Sequence, residues 1–301
     1  MIVTATPNPA VDVTLSVRGL DRGGSQSVSP AHQRLGGKAV NVARVAAQQG
    51  VEATAVLLGT VPDHLHAESI PGVGLIVVPT RTGIRSTYAV AEADTGTVTM
   101  LNETGEPRLP GEWESFVDAV ARARESASCL VVSGSLPPGS DLDHLRALVG
   151  DARAAGVPVI ADLVGDALWA AAEAGADVIK PNRTELHRTV GYDDPEAGAR
   201  ALQEHGAGMV IVSLGEDGLI VVPPAAPPVH AALDRALRGN PTGAGDAAVA
   251  SVAARIDRGD RLDAIGVATA AVAWSAAAVL SPVAGSLDDS LPDLVARVRV
   301  R

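Results

Sequence analysis

Asn240-Pro241-Thr242-Gly243-Ala244-Gly245-Asp246 opens an Ala/Val-rich stretch that runs to Arg258. Glycines at 243 and 245 let backbone N–H groups turn toward one point, and a helix beginning there adds its partial positive charge. Such a mouth cradles an anion and suits a phosphoryl group in transit. Asp246 is an odd choice if anion binding is the only task. A carboxylate at that point can take the proton of an attacking alcohol as the phosphoryl moves. It can equally cap the helix, a common use of aspartate.

A second pattern, Lys180-Pro181-Asn182-Arg183-Thr184-Glu185, follows an apolar strand-like run and opens a helix. That is the carboxyl edge at which α/β proteins bind ligands. Asn182 and Glu185 share one face of a turn, and an amide beside a carboxylate can order Mg²⁺-bound water near nucleotide phosphates. A helix-capping pair has the same spacing. In Leu35-Gly36-Gly37-Lys38-Ala39-Val40-Asn41, Gly36 and Gly37 permit a ligand to approach the backbone. Lys38 offers a point charge for a phosphate or carboxylate, and Asn41 a polar head one turn on. An ordinary helix entry with Lys38 in solvent has the same residues. Ser213-Leu214-Gly215-Glu216-Asp217-Gly218, taken alone, is a hairpin turn. GxxxxGK[ST] and GxGxxG are both absent, which removes P-loop and dinucleotide-fingerprint readings.

These residues need a frame, and the frame is α/β. Val/Ile-rich runs at Ile2–Ala5, 53–58, 130–133, 157–162, 177–180 and 210–213 alternate with amphipathic stretches. Helices are expected at 39–49, 112–126, 142–155, 165–174, 184–190, 195–204, 245–258 and 262–280. Strand, helix, strand at this spacing builds a parallel sheet with crossover helices, and continuous apolar strands mean that both faces are covered. Two stretches, 12–34 and 82–103, instead alternate in polarity and predict half-exposed antiparallel strands. Both are too short for a core of their own, so they are expected to join as one small inserted sheet within a single domain spanning 1–301.

Composition narrows the partners. The 301 residues carry a formal charge of −11 and only 2% aromatics, so neither a basic footprint nor a stacking platform for nucleic acid is present. Cys129, the single cysteine, sits in an apolar run and reads as a buried filler. Ala264 to Leu280 is too short to span a bilayer and reads as a buried helix, so no membrane partner is expected. The first residues lack a basic n-region, and a cytoplasmic protein is expected.

Together with Asn8-Pro9-Ala10-Val11-Asp12 and Val132-Ser133-Gly134-Ser135-Leu136-Pro137-Pro138-Gly139, these motifs resemble the PfkB (ribokinase-like) carbohydrate kinases, most of all the 1-phosphofructokinase and tagatose-6-phosphate kinase branch. The resemblance covers residues 2 to about 285 in matching order. It implies a three-layer α/β/α fold with a mostly parallel central sheet and a small antiparallel β lid, which can clasp two copies into a homodimer. It implies ATP and Mg²⁺, with Asp246 as base and Gly243, Ala244 and Gly245 as the anion hole. Asn182 and Glu185 would organise metal and phosphate, Glu185 through water, with Ser213, Gly215 and Gly218 at the nucleotide. Asp12, Gly36, Gly37, Lys38, Asn41 and Arg85 would hold the sugar or sugar phosphate.

This chain departs from the pattern at the sugar. Phosphosugar members carry a basic residue on the second lid strand, where counting back from Asn41 gives Ser25 and Ser27. Asp162-Leu163-Val164-Gly165 keeps the family's Asp and Gly without the small hydroxyl residues between them. A neutral acceptor (nucleoside, free sugar or cyclitol) therefore stands beside the phosphosugar. A non-catalytic sugar- or nucleotide-binding protein on the same fold is a third reading, against which the retained Asp246 argues.

Overall fold

The computed structural model describes residues 1–66 and 70–301. The chain begins with β1 (Ile2–Thr6), β2 (Ala10–Val17), β3 (His32–Gly36), α1 (Lys38–Gln48), β4 (Ala53–Thr60) and α2 (Asp63–His66). It continues through β5 (Val73–Gly83), β6 (Arg85–Glu92), β7 (Thr97–Asn102), α3 (Pro110–Ala123), β8 (Cys129–Ser133) and α4 (Leu142–Ala154). Then come β9 (Val159–Asp162), α5 (Asp166–Glu173), β10 (Val178–Ile179), α6 (Arg183–Val190), α7 (Pro195–Glu204), β11 (Met209–Ser213) and β12 (Leu219–Val222). The chain ends with β13 (Val229–Leu233), α8 (Ala244–Asp257), α9 (Ala264–Leu280), α10 (Leu291–Arg297) and β14 (Val298–Val300).

Ten strands form the main sheet in the order β14-β13-β12-β11-β10-β9-β8-β1-β4-β5, parallel from β11 to β5 and antiparallel from β11 through β14. Successive side chains of a strand point to opposite faces, and this partitions two cores. Ile2, Val131 and Ile160 pack with Val40, Val249 and Trp274 beneath α1, α8 and α9. Val3, Leu130, Val132 and Ala161 pack with Phe116, Leu145, Leu168 and Leu202 beneath α3, α4, α5 and α7. Cys129 is fully buried in the first core, where burial pushes its thiol up to about 12, so it is a packing residue. Among the described residues, no helix is long and apolar enough to cross a membrane.

The expected helices all form, with no end displaced by more than three residues, because α1, α3, α4 and α7 each present an apolar face to the sheet. Six elements escape the sequence reading: β5, β12, β13, β14, α2 and the seven-residue α10. β5 exposes nearly every second residue and contains Gly74 and Pro79. β12, β13, β14 and α2 run only three to five residues, too short for periodicity to register.

The second sheet, β3-β2-β6-β7, is the lid. Its outer pairs, β2/β3 and β6/β7, are antiparallel, while β2 and β6 come from separate excursions and meet in parallel. Register places Arg34, Asp12, Thr87 and Asn102 side by side across its four strands. The next cavity-facing row is His32, Thr14, Ala89 and Met100. Ser25 and Ser27 lie in the exposed connection between β2 and β3, not on a lid strand, because β3 starts only at His32.

Candidate active site

One cavity of about 1650 Å³ runs between the lid and the carboxyl edge of the main sheet. It is lined by fourteen of the fifteen residues singled out from the sequence: Asp12, Gly37, Lys38, Asn41, Arg85, Asn182, Glu185, Ser213, Gly215, Gly218, Gly243, Ala244, Gly245 and Asp246. Gly36 does not line it. Gly36 is buried against Asp12, and a β-carbon there would stand 2.0 Å from a carboxylate oxygen, so any larger residue would displace that side chain.

Gly243 caps α8 in the left-handed conformation (φ 85°), which L side chains avoid, and packs on Ala284 and Gly285. The N–H groups of Gly243 and Gly245 have no acceptor among the described residues. That of Ala244 does have one. It turns back to the Pro241 carbonyl at 3.2 Å, which leaves Ala244 the weakest of the three candidate anion donors. Asp246 follows in the first turn of α8 and is 6% exposed. It does not cap the helix. Its Oδ2 accepts a 2.9 Å hydrogen bond from Asn41 Nδ2 on α1. Burial pushes its carboxyl up to about 6, with Asp162 adding to the rise, while Lys38, the Asn41 bond and Lys180 hold it down. A carboxylate that changes charge near neutral pH is suited to accepting a proton.

Asn182 and Glu185 form the capping box in full. Asn182 Oδ1 accepts from the Glu185 amide at 2.8 Å, and Glu185 Oε2 accepts from the Asn182 amide at 2.9 Å. Glu185 keeps its other oxygen for the cavity, where Oε1 lies 3.8 Å from Lys38 Nζ. Ser213 pairs with Asn182 across an isolated parallel bridge, and a 3-10 turn at Gly215–Asp217 leads to Gly218 (φ 84°) and β12. On the lid, Asp12 Oδ1 accepts from Thr87 Oγ1 at 2.7 Å. Arg85 donates to the backbone carbonyls of Asn8 and Glu103, and burial lowers the pKa of its guanidinium despite Asp12 and Glu103 nearby.

Two residues with no assigned role in the sequence reading stand at the centre. Asp162, at the end of β9, is fully buried, and Lys180, just beyond β10, is 3% exposed. Asp162 Oδ1 receives Lys38 Nζ at 3.1 Å and lies 3.6 Å from Lys180 Nζ, while its Oδ2 is buried without a partner. Burial opposes the charge on Asp162, but Lys180 and Lys38 outweigh it and keep the carboxyl below the usual range. Burial likewise opposes the charge on Lys38, yet Asp162, Glu185 and Asp246 raise its pKa above the ordinary lysine value. A charged residue closing an apolar strand at the ligand edge was the available signal for both Asp162 and Lys180.

The donor set bears on divalent metal. Among the described residues no cluster of three or more His, Cys, Asp or Glu could cage an ion. Available instead are hard oxygens, the orphaned Asp162 Oδ2 and Glu185 Oε1. Such a sparse oxygen set fits Mg²⁺, which retains waters and completes its shell with substrate phosphates.

Residues 7–289 match the family described as pfkB family carbohydrate kinase. The chain is 30% identical to a 1-phosphofructokinase of Xanthomonas campestris pv. campestris, covering 84% of this chain and 83% of the relative. It is also 30% identical to an ATP-dependent 6-phosphofructokinase isozyme 2 of Mycobacterium tuberculosis, covering 86% and 78%. The structure of phosphofructokinase-2 from Escherichia coli in complex with potassium superimposes with a TM-score of 0.87 over 98% of both chains, at 25% identity. Lid, cradle and motif order agree with this match, and the chain belongs to the pfkB family of carbohydrate kinases.

Proposed function

We propose that this protein transfers the γ-phosphoryl group of ATP to a hydroxyl of a sugar phosphate, in the manner of a 1-phosphofructokinase or tagatose-6-phosphate kinase, with Asp246 as general base. The observation that carries the reading is Asp246 itself. It is a buried carboxylate at the mouth of α8, held by Asn41 and tuned to about 6, beside unpaired N–H groups at Gly243 and Gly245. The acceptor oxygen forms a bond to the γ-phosphorus as the bond from that phosphorus to the β,γ-bridging oxygen breaks. The electron pair leaves with ADP, and the hydroxyl proton passes to Asp246. Positioning and preorganised charge supply most of the acceleration.

Charge balance supports a divalent cation. Asp162, Glu185 and Asp246 sit with Lys38 and Lys180, three carboxylates against two ammonium groups, so this cluster is one charge negative before a triphosphate enters. Mg²⁺ held by Glu185 through water, with Asp162 behind it, would neutralise the phosphates. A phosphorylated acceptor is favoured because His32, Arg34 and Arg85 line the lid side of the cavity in a protein of net charge −11. Ser213, Gly215 and Gly218 border the nucleotide end, and Asp12, Gly37 and Asn41 the acceptor end. Leu101, 56% exposed on β7 and pointing away from the cavity-facing row, favours a homodimer closed through the lid. Use of ATP and a reduced, buried thiol suit a cytoplasmic enzyme.

The test is coupled ADP release with fructose 1-phosphate, tagatose 6-phosphate, free sugars and nucleosides, for wild type and Asp246→Asn. Wild type is expected to turn over a phosphosugar, with kcat lower by about 10²–10⁴-fold in the variant while nucleotide still binds. Near-wild-type turnover in Asp246→Asn removes the base. A preference for unphosphorylated acceptors removes the phosphosugar.

A further inference from the structure

Lys38 opens α1 at the junction between the lid and the main sheet, so its side chain has both sides within reach. It turns away from the lid. The ammonium lies 3.1 Å from Asp162 at the end of β9 and 3.8 Å from Glu185 on α6, and neither partner belongs to the lid. Lys180 meets the same Asp162 oxygen from the main sheet at 3.6 Å. A β-carbon added at Gly245 would stand 3.2 Å from Lys180 Nζ, so that ammonium abuts the anion cradle. One turn beyond Lys38, Asn41 holds Asp246. Two ammonium groups and the candidate base therefore surround the place where donor and acceptor must meet.

We propose that Lys38, with Lys180, binds the phosphoryl group being transferred and does not read the acceptor's own phosphate. The inference rests on the kinase reading given above. Three observations carry it. Both ionic partners of Lys38 stand on the nucleotide side, and a terminal phosphate oxygen can replace the longer contact, to Glu185, while the shorter one to Asp162 persists. The lid has basic groups of its own facing the cavity, His32 and Arg34 on β3 and Arg85 on β6, and these can serve the far end of an acceptor. Finally, Asp162 is wholly buried and bonded to both lysines, which makes it a positioning residue that keeps the two cations together. A pair fixed in this way acts on the charge common to every turnover, whatever the acceptor carries.

The experiment is isothermal titration of ADP and of β,γ-imido-ATP, each with Mg²⁺, into wild type and Lys38→Met, followed by steady-state kinetics. Lys38→Met is expected to weaken the imido analogue about tenfold or more while changing ADP affinity by less than about threefold. Its kcat should fall about 100-fold or more, with the KM of the phosphosugar within about threefold of wild type. Lys38→Arg, which keeps the charge, should retain the preference for the triphosphate analogue. If the methionine variant fails to fold, as judged by circular dichroism, Lys38→Gln gives the same comparison. The inference is overturned if the analogue and ADP are affected alike, or if the phosphosugar KM rises more than tenfold with kcat preserved. Failure of wild type to bind either nucleotide would instead overturn the kinase reading beneath it.

Discussion

The raised Asp246 carboxyl gives the proposed chemistry a pH signature that can be moved by one hydrogen bond. With a value of about 6, the base is mostly charged at pH 7 and only about a tenth charged at pH 5. The kcat/KM for the acceptor should thus rise about tenfold per unit up to pH 6 and flatten above pH 7. An aspartate at its ordinary value would already be flat at pH 5. Asn41 donates to the charged form through a 2.9 Å bond, and a hydrogen bond to a buried ion contributes about 1.5–3 kcal/mol. Its removal in Asn41→Ala favours the protonated acid, so the pKa rises by about one to two units and the acid limb moves to higher pH. At pH 7 the variant should be slower by about two- to tenfold, and it should regain much of that loss by pH 9. A lost sugar contact would lower the whole profile without moving its limb, which separates the two roles of Asn41. The assay is coupled ADP release from pH 4.5 to 9.5. A wild-type limb near pH 4, or a limb that stays in place in Asn41→Ala, would refute the assignment of Asp246 as the titrating base.

Three further outcomes are expected. Asp246 binds its proton more tightly folded than unfolded, so its stabilising contribution is present below pH 4 and lost as pH rises through about 6. Asp246→Asn should consequently be more stable than wild type at pH 7.5, by up to roughly 3 kcal/mol, and lose that advantage at pH 4; urea unfolding at both pH values measures it. Asp162→Asn leaves Lys180 and Lys38 without their shared buried anion and should destabilise the protein by about 3–5 kcal/mol at neutral pH, read from the shift in urea midpoint. Gly243→Ala must place a side chain at φ 85° and within 3.2 Å of Ala284; it should lower stability by about 1–3 kcal/mol and kcat by more than tenfold, measured by thermal melts and ADP release.

How much of this was legible in the sequence depended on range. The parallel strands and their helices were readable because one face or both are buried, and burial imprints apolar runs or a 3.6-residue period. β5 was not, since Gly74 and Pro79 confine its apolar run to residues 75–78 and the rest of this edge strand is largely polar. Within the site, local geometry could be read: glycines before α8, a capping box at α6, a lysine at the start of α1. Direction could not. Lys38 and Asp162 are 124 positions apart, and Asn41 and Asp246 are 205 apart, so nothing near Lys38 says which way it leans.

That direction decides how the cavity divides its labour. Had Lys38 leaned to the lid, its charge would belong to acceptor choice, and the serines at 25 and 27 would have been the weak point of a phosphosugar site. On the proposed reading, its lean to Asp162 leaves the acceptor's phosphate to the lid, where Arg34, whose guanidinium also donates to the Ala284 carbonyl, stands beside Asp12. Ser25 and Ser27, in an exposed connection, then have no bearing on the choice. An Arg34→Ser exchange should therefore raise the KM of a phosphosugar by about tenfold or more, the worth of one charge-assisted contact, while leaving that of a neutral sugar nearly unchanged. Steady-state kinetics on both acceptors decides it, and an equal loss for the two would return acceptor recognition to Lys38.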